Sequence, residues 1–162
     1  MTPKERFEEW FEKPLSKIEA LEGCNAAFLA FMVSFGLFER FIKSDLKKRN
    51  VEGTPENFRG EAATVLKLEA ELFDKFWGMY RDGIQHYLQP KTFRSKGVQY
   101  GWEIDASFSE LPEFCDKVEN HTKIRIIRIS PWKWSKLVVR LWNSRPDLLE
   151  VLESHRLGEI YH

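Results

Sequence analysis

Residues 25–48 of this 162-residue chain read NAAFLAFMVSFGLFERFIKSDLKK, and this stretch predicts one long amphipathic helix. Its large apolar side chains recur at intervals of three and four residues, so they share one face of a helix: Phe28, Phe31, Phe35, Phe38 and Ile42. The two lysines at its end suit the negative end of the helix dipole. The pattern is therefore that of a helix with one buried face.

Further helices are predicted on both sides of this one. Thr2-Pro3-Lys4-Glu5 and Thr54-Pro55 each place a capping residue before a proline, which is typical of a helix start. Pro14 predicts that the first helix breaks or restarts, because proline lacks an amide donor. An apolar series from Phe58 to Tyr80 predicts a helix of about six turns. Helices joined by short connections are usually antiparallel neighbours, so the pattern indicates a bundle.

The sequence changes character after Pro90. Residues 98–105 and 123–129 are rich in β-branched and aromatic side chains and predict the two strands of a small hairpin, with a bulge at Ile126-Ile127. Ser130-Pro131 and Pro146-Asp147 then predict two C-terminal helices.

The predicted fold class is therefore mainly α: an antiparallel helical bundle with a small β-hairpin and C-terminal helices. We expect a single domain over residues 1–162. Residues 1–95 would form the bundle core, and residues 96–162 would add the hairpin and the C-terminal helices as an extension.

Composition points to a cytoplasmic protein that binds no membrane. The longest uncharged apolar run, Ala26 to Phe38, has 13 residues, and crossing a bilayer takes about 20. Two cysteines make no disulfide framework, so a reducing compartment is expected. The 25 basic and 25 acidic side chains balance, which argues against a protein that coats nucleic acid non-specifically.

Charge is nevertheless segregated along the C-terminal part of the chain. Residues 121–146 contain seven basic and no acidic side chains, whereas residues 102–119 contain six acidic ones and one lysine. Two interpretations remain open: the segments neutralise each other, or the basic segment binds phosphates and Trp132, Trp134 and Trp142 stack on bases. In the second case the nucleic-acid-binding residues are Lys123, Arg125, Arg128, Lys133, Lys136 and Arg140.

The stretch Tyr80-Arg81-Asp82-Gly83-Ile84-Gln85-His86-Tyr87 places an arginine and a histidine five residues apart. On one uninterrupted α-helix this leaves the two side chains about 140° apart around the axis. We therefore expect a break near residues 78–81, with Asp82 capping a new short helix. Arg81 would then lie at a helix N-terminus, where free amides favour an anion, and His86 one turn inside. The alternative is that Arg81 pairs with an acid of the long helix and His86 caps the core.

The same stretch resembles the Arg-x4–6-His motif of the HEPN superfamily (higher eukaryotes and prokaryotes nucleotide-binding domains), in the Arg-Asn/Asp-Gly-aliphatic-x-His form of bacterial members. Pro90-Lys91 and Gly101-Trp102-Glu103-Ile104 follow it here, as a Pro-Lys pair and a Gly/Trp-containing strand do in those proteins. Phe38-Glu39-Arg40 is similar to the end of the family's second helix. The resemblance covers roughly residues 15–105.

This resemblance implies an all-helical bundle and, for many members, metal-independent endoribonuclease activity in toxin–antitoxin, abortive-infection or CRISPR systems. By position, Arg81 would stabilise the phosphate in the transition state, and His86 would transfer a proton as the ribose 2′-hydroxyl attacks phosphorus. Asp82 takes the polar position after the arginine, where Asn is commoner, and Glu39 takes the position of the acid that contacts the motif.

The expected partners follow from the same resemblance: RNA or a nucleotide, a second copy of the chain in a homodimer, and an antitoxin or other partner protein. We expect no cofactor and no metal. The four histidines (His86, His121, His155 and His162) are scattered, and none pairs with another His or Cys at metal-ligand spacing.

Two other hypotheses remain open. The bundle could be a non-catalytic module that binds a nucleotide or a protein partner without cutting anything. It could also be a structural interaction protein whose aromatic surplus, 14% of residues, forms an exposed interface.

Overall fold

The structure of the chain is a computed structural model that describes residues 1–21 and 24–154; His155 and His162 lie outside the described residues. The helices are α1 (Pro3–Phe7), α2 (Lys13–Glu19), α3 (Cys24–Lys48), α4 (Pro55–Val65), α5 (Ala70–Trp77), α6 (Gly83–Tyr87), α7 (Pro131–Ser144) and α8 (Pro146–Ser154). The strands are β1 (Phe93–Ser95), β2 (Val98–Ile104), β3 (Glu113–Glu119) and β4 (Thr122–Ile129). Two π turns, Glu8–Glu12 and Gly78–Asp82, join α1 to α2 and α5 to α6.

The long helix α3 lies at the centre of the core, and its prediction from sequence is confirmed. Phe31 and Ile42 on its apolar face are fully buried. The C-terminal helix α7 packs along it and contributes Trp134 and Trp142, which are also fully buried. The indole N–H of Trp142 donates to the carbonyl of Leu37 at 3.1 Å, so the buried donor is satisfied.

The first helix begins as predicted but does not stop at Pro14. The Thr2 hydroxyl accepts from the Glu5 amide at 3.2 Å, and the Glu5 carboxylate accepts from the Thr2 amide at 2.7 Å, which completes a capping box. The predicted break at Pro14 is wrong, because the chain stays helical from α1 through the π turn into α2. A π turn is wider than an α turn, so it relieves the contact between a proline ring and the carbonyl four residues earlier.

The helix predicted from Phe58 to Tyr80 is in fact two helices. Helix α4 ends at Val65, and Lys67 adopts a left-handed conformation with φ 55°. The Leu68 amide donates to the Ala63 carbonyl at 2.9 Å, which closes the end of α4 before α5 begins. Glycine is usual at such a left-handed cap, and a lysine there gives no signal in the sequence. The prediction therefore relied on apolar periodicity alone and treated the two helices as one.

The predicted fold class is wrong in its β part. The structure contains a four-stranded mixed sheet of order β1-β2-β4-β3, so the fold is mainly α, as predicted, but it is not a helical bundle with a small hairpin. The two predicted strands correspond to β2 and β4, but these pair in parallel and therefore form no hairpin with each other. The hairpins are β1–β2 and β3–β4.

Both hairpins close through two residues with positive φ. These are Lys96 and Gly97 between β1 and β2, and Asn120 and His121 between β3 and β4. Positive φ at both central positions matches the twist of paired strands. Sequence analysis missed β3 because its residues, EFCDKVE, carry four charges and few β-branched side chains. The predicted bulge at Ile126-Ile127 is also absent, because the registers with β2 and β3 run without a skip through these residues.

The sheet is fixed to the helices by Tyr80, which lies in the π turn after α5. Its side chain is fully buried, and its hydroxyl lies 2.8 Å from the carbonyl of Ile127 and 3.0 Å from that of Glu103. These carbonyls belong to neighbouring parallel strands, β4 and β2. Burial raises the pKa of the Tyr80 phenol above its ordinary value, so the hydroxyl keeps the proton that it donates to the sheet.

Replacing Tyr80 with Phe tests this anchor. The variant keeps the ring and loses the buried hydrogen bond, so we expect the free energy of unfolding to fall by about 1–2 kcal/mol. Urea unfolding followed by circular dichroism measures the change. The matched control is Tyr87→Phe, which alters an exposed tyrosine of the same helical segment and should leave the unfolding midpoint where it is. Equal midpoints for the two variants would contradict the anchoring role.

Candidate functional site

The stretch from Tyr80 to Tyr87 lies on a continuous helical segment, residues 70–87, which we call the motif helix. It passes through the π turn Gly78–Asp82 without interruption. Asp82 has helical dihedrals (φ −71°, ψ −36°), and its side chain forms no capping hydrogen bond with a described residue. The predicted break and new helix N-terminus are therefore wrong. Arg81 lies inside a helix, where the backbone amides are used by the helix itself.

The loop after the motif helix folds back over it. Leu88 ends the helix in a left-handed conformation with φ 60°, and the Lys91 amide then donates to the Met79 carbonyl at 3.0 Å. Gly83 allows this close approach, because a Cβ atom at that position would lie 2.6 Å from the Lys91 nitrogen and 2.8 Å from the Gln89 carbonyl oxygen. The glycine of the motif is thus required by the loop that follows it.

Arg81 is held by carboxylates on two elements. Its Nη2 atom lies 2.7 Å from Oε2 of Glu39 on α3, and its Nη1 atom lies 3.0 Å from Oδ1 of Asp82. Lys43, one turn after Glu39 on α3, donates to the other carboxylate oxygen of Glu39 at 2.6 Å. We call these four residues the Arg81 cluster. It carries two positive and two negative charges, so its net charge is zero.

Within this cluster the pKa of Glu39 is lowered and that of Arg81 is raised, and both shifts favour the charged form. Burial alone would raise the pKa of the Glu39 carboxyl, but the hydrogen bond from Lys43 and the charge of Arg81 together lower it below its ordinary value. Burial likewise opposes the charged form of Arg81, and the hydrogen bond to Asp82 and the charge of Glu39 outweigh it and raise its pKa. Both groups therefore stay ionised throughout the neutral range.

A groove of about 230 Å³ opens beside the Arg81 cluster. Its lining consists of Met32, Phe35, Gly36 and Glu39 from α3 and of Arg81, Ile84 and Gln85 from the motif helix. His86 does not line it. Its side chain is exposed and lies beside the ring of Tyr87, with 6.4 Å between the ring centroids. Within one copy of the chain, Arg81 therefore shares its groove with Gln85, and His86 lies on the neighbouring surface.

The six basic residues predicted to bind nucleic acid all have partners. Five of them form ion pairs: Lys123 and Arg125 with Asp116, Arg128 with Glu103, Lys136 with Glu19, and Arg140 with Glu110. Lys133 donates to the carbonyl of Ser107 at 3.0 Å. The hydrogen bonds from Arg125 and Lys123 hold the pKa of the Asp116 carboxyl well below its ordinary value. These contacts agree with the interpretation that the acidic and basic segments neutralise each other.

Two of the three tryptophans of that basic segment are not free to stack on bases. Trp134 and Trp142 are fully buried among core phenylalanines. Trp132 is half-buried at the start of α7. The idea that these side chains form a stacking surface is therefore wrong for the two that are buried.

Sequence analysis did not single out three cations near the motif: Lys43, Lys91 and Arg94. The signal for Lys43 is its spacing of four residues from Glu39. The signal for Lys91 and Arg94 is the complete absence of acidic residues from position 83 to position 102. Neither of these two side chains forms an ion pair with a residue that the structure describes.

Within residues 1–21 and 24–154, no group of three or more His, Cys, Asp or Glu side chains is arranged to hold a metal ion. In the same part of the chain no helix is both long and apolar enough to cross a membrane. Comparison with protein-family models, with curated proteins and with solved structures found no match to this chain. The resemblance to HEPN proteins therefore depends on the residues of the motif and their surroundings.

Replacing Gly83 with Ala tests the packing of the loop on the motif helix. The added methyl group would meet backbone atoms of residues 89–91, so we expect a loss of about 1–3 kcal/mol in the free energy of unfolding. Urea unfolding measures it. Gly78→Ala is the matched control in the same helical segment, because a Cβ atom there meets nothing within 4 Å. Alanine favours a helix over glycine, so this control should be at least as stable as the wild type. Similar losses in both variants would show that the loop contact is not the cause.

Proposed function

We propose that this chain is a HEPN-like RNA-binding protein of the cytoplasm that acts as a homodimeric, metal-independent endoribonuclease. The observation that carries the proposal is the contact between Glu39 and Arg81, which are 42 residues apart in the chain. The Nη2 atom of Arg81 lies 2.7 Å from Oε2 of Glu39. The resemblance implies this contact between the long helix and the motif. The contact with Glu39 holds the Arg81 guanidinium in a set position at the edge of the groove, so the group is already oriented for a ligand.

The chemistry assigned to each residue follows from its place. Arg81 contacts a phosphate oxygen through the N–H groups that Glu39 and Asp82 leave unused, since a guanidinium carries five. His86 is exposed, and an imidazole has one nitrogen that can accept a proton and one that can donate it, so it can take or give a proton as the 2′-hydroxyl attacks the adjacent phosphorus. Glu39 is a positioning residue that acts through Arg81.

A second copy of the chain is needed to unite these groups. Leu29 and Met32 on α3 are 49% and 45% exposed, and Leu88 at the end of the motif helix is 66% exposed. Met32 also lines the Arg81 groove, so this apolar surface is continuous with the site. A partner that covers it would bring two motif helices together, and His86 of one copy could serve Arg81 of the other.

The catalytic role is tested by replacing His86. We expect His86→Ala to lower the rate of cleavage of a single-stranded RNA panel in EDTA by at least 100-fold, because general acid–base catalysis contributes about that much or more. Gel assays of end-labelled RNA measure the rate. His121→Asn, in the β3–β4 turn far along the chain, is the control and should cleave like the wild type. Cleavage by His86→Ala at the wild-type rate would remove this histidine from the reaction.

The same proposal makes a prediction for Asp82, whose carboxylate competes with phosphate for Arg81. Asp82→Asn removes one negative charge at hydrogen-bond distance from the guanidinium, so we expect RNA to bind about fivefold more tightly. Fluorescence anisotropy at fixed ionic strength measures the dissociation constant. Glu71→Gln removes a charge from the same helix roughly 15 Å away and serves as control. Equal affinities for these two variants would show that Asp82 does not restrict the site.

A non-catalytic binding module is the second candidate, and the neutral Arg81 cluster favours it. Two carboxylates already occupy the guanidinium, which weakens its attraction for a transition-state phosphate. The two functions differ in one result: RNA that binds in an Arg81-dependent manner and stays intact through long incubation in EDTA indicates the module.

A further inference from the structure

A second cavity, of about 430 Å³, lies at the end of the motif helix next to His86. Its lining residues are Tyr87, Gln89, Pro90, Lys91, Thr92 and Trp102. We propose that this pocket takes one unpaired nucleobase of a single-stranded RNA, stacked on Tyr87 and Trp102, while Lys91 contacts a flanking phosphate. The proposal rests on the proposed function and names the form of RNA that the site binds.

Two aromatic side chains of different elements meet at this pocket. Tyr87 is 66% exposed, although most aromatic side chains of the described chain are packed in the core. Trp102 projects from β2 and is held edge-to-face against Phe28, with 6.4 Å between the ring centroids. The exposed ring of Tyr87 and the ring of Trp102, which packs against Phe28, offer π faces on which any base can stack.

Charge around the pocket favours a polyanion. The acid-free stretch from position 83 to position 102 supplies the whole lining of the pocket. Lys91 forms no ion pair with a described residue, whereas five of the six predicted nucleic-acid-binding residues of the basic segment are paired with acids. Unpaired cations can neutralise phosphates without first giving up a carboxylate. The RNA-binding surface therefore lies at the end of the motif helix rather than on residues 123–140.

The loop that carries Gln89, Pro90 and Lys91 is held by contacts within the chain. The Lys91 amide is bonded to the Met79 carbonyl, Pro90 is buried, and Gly83 lets the loop touch the helix. A fixed pocket costs less ordering on binding than a mobile one. The His86 ring lies beside that of Tyr87, with 6.4 Å between the ring centroids, so a base stacked on Tyr87 leaves its own ribose and phosphate near the imidazole.

Anisotropy titrations of labelled RNA test the pocket with three probes: an unstructured 12-mer, the same 12-mer with abasic sites, and its duplex. The wild type should bind the single strand about tenfold more tightly than the abasic strand, and the duplex more weakly still. Tyr87→Leu should lose the preference for bases and bind both strands alike. Lys91→Ala should weaken the binding of both strands equally. Trp10→Leu, an exposed tryptophan of the first π turn, is the control and should match the wild type.

The outcomes separate the two proposals. Tyr87 is exposed, so Tyr87→Leu leaves the core intact, and its urea midpoint verifies this. A Tyr87→Leu protein that still prefers base-containing RNA, in an enzyme that cleaves it, overturns the pocket and leaves the proposed function standing. Base-dependent binding without any cleavage overturns the nuclease and leaves the pocket standing. A wild type that binds none of the three probes overturns both.

Discussion

The hydrogen bond of the Tyr80 hydroxyl to the sheet is the contact on which the arrangement of this protein depends. It connects the motif helix to two parallel strands at once, and it does so from the residue immediately before Arg81. The ring of Tyr80 packs among Phe31, Phe35 and Phe76, so the same side chain also joins the motif helix to α3. The position of Arg81 relative to Glu39 is therefore set by the core and does not depend on their ion pair alone.

The π turn Gly78–Asp82 is the second constraint, and it accounts for the residues around the motif. A π turn departs from the regular α-helical bonding pattern, and within this one the Met79 carbonyl accepts a hydrogen bond from the Lys91 amide. That bond brings the loop of residues 88–91 across Gly83. The Gly of the motif and the Pro-Lys pair that follows are thus parts of one local structure, and this structure supports both the Arg81 groove and the pocket beside Tyr87.

Electrostatics divides the basic residues of the chain into two groups. The basic residues between positions 123 and 140 stabilise the fold by pairing with acids, most of which belong to the segment before them. For example, Glu103 on β2 pairs with both Lys117 on β3 and Arg128 on β4. Surface ion pairs of this kind contribute little individually, but they place a carboxylate beside five of the six basic residues. Next to the motif, Arg81 is paired with Glu39 and Asp82, whereas Lys91 forms no ion pair with a residue that the structure describes. The number of lysines and arginines in a segment therefore says little about its unpaired charge, which depends on local pairing.

The sequence by itself determined the elements whose signals are local. Helix starts at Pro3, Pro55, Pro131 and Pro146 follow from capping residues and proline within a few positions, and the apolar face of α3 follows from spacing. Tertiary structure decided the rest, because it depends on residues far apart in the chain. Contacts with other elements fix the parallel pairing of β2 with β4. They also fix the strand β3, which has few apolar residues, and the continuation of the motif helix through a π turn.

Tertiary structure also decided the arrangement of the candidate site. The motif residues were visible in the sequence, but which of them share a groove was not. Whether Arg81 and His86 face one groove depends on the phase of a helix, and a single extra residue in one turn changes that phase for every residue after it.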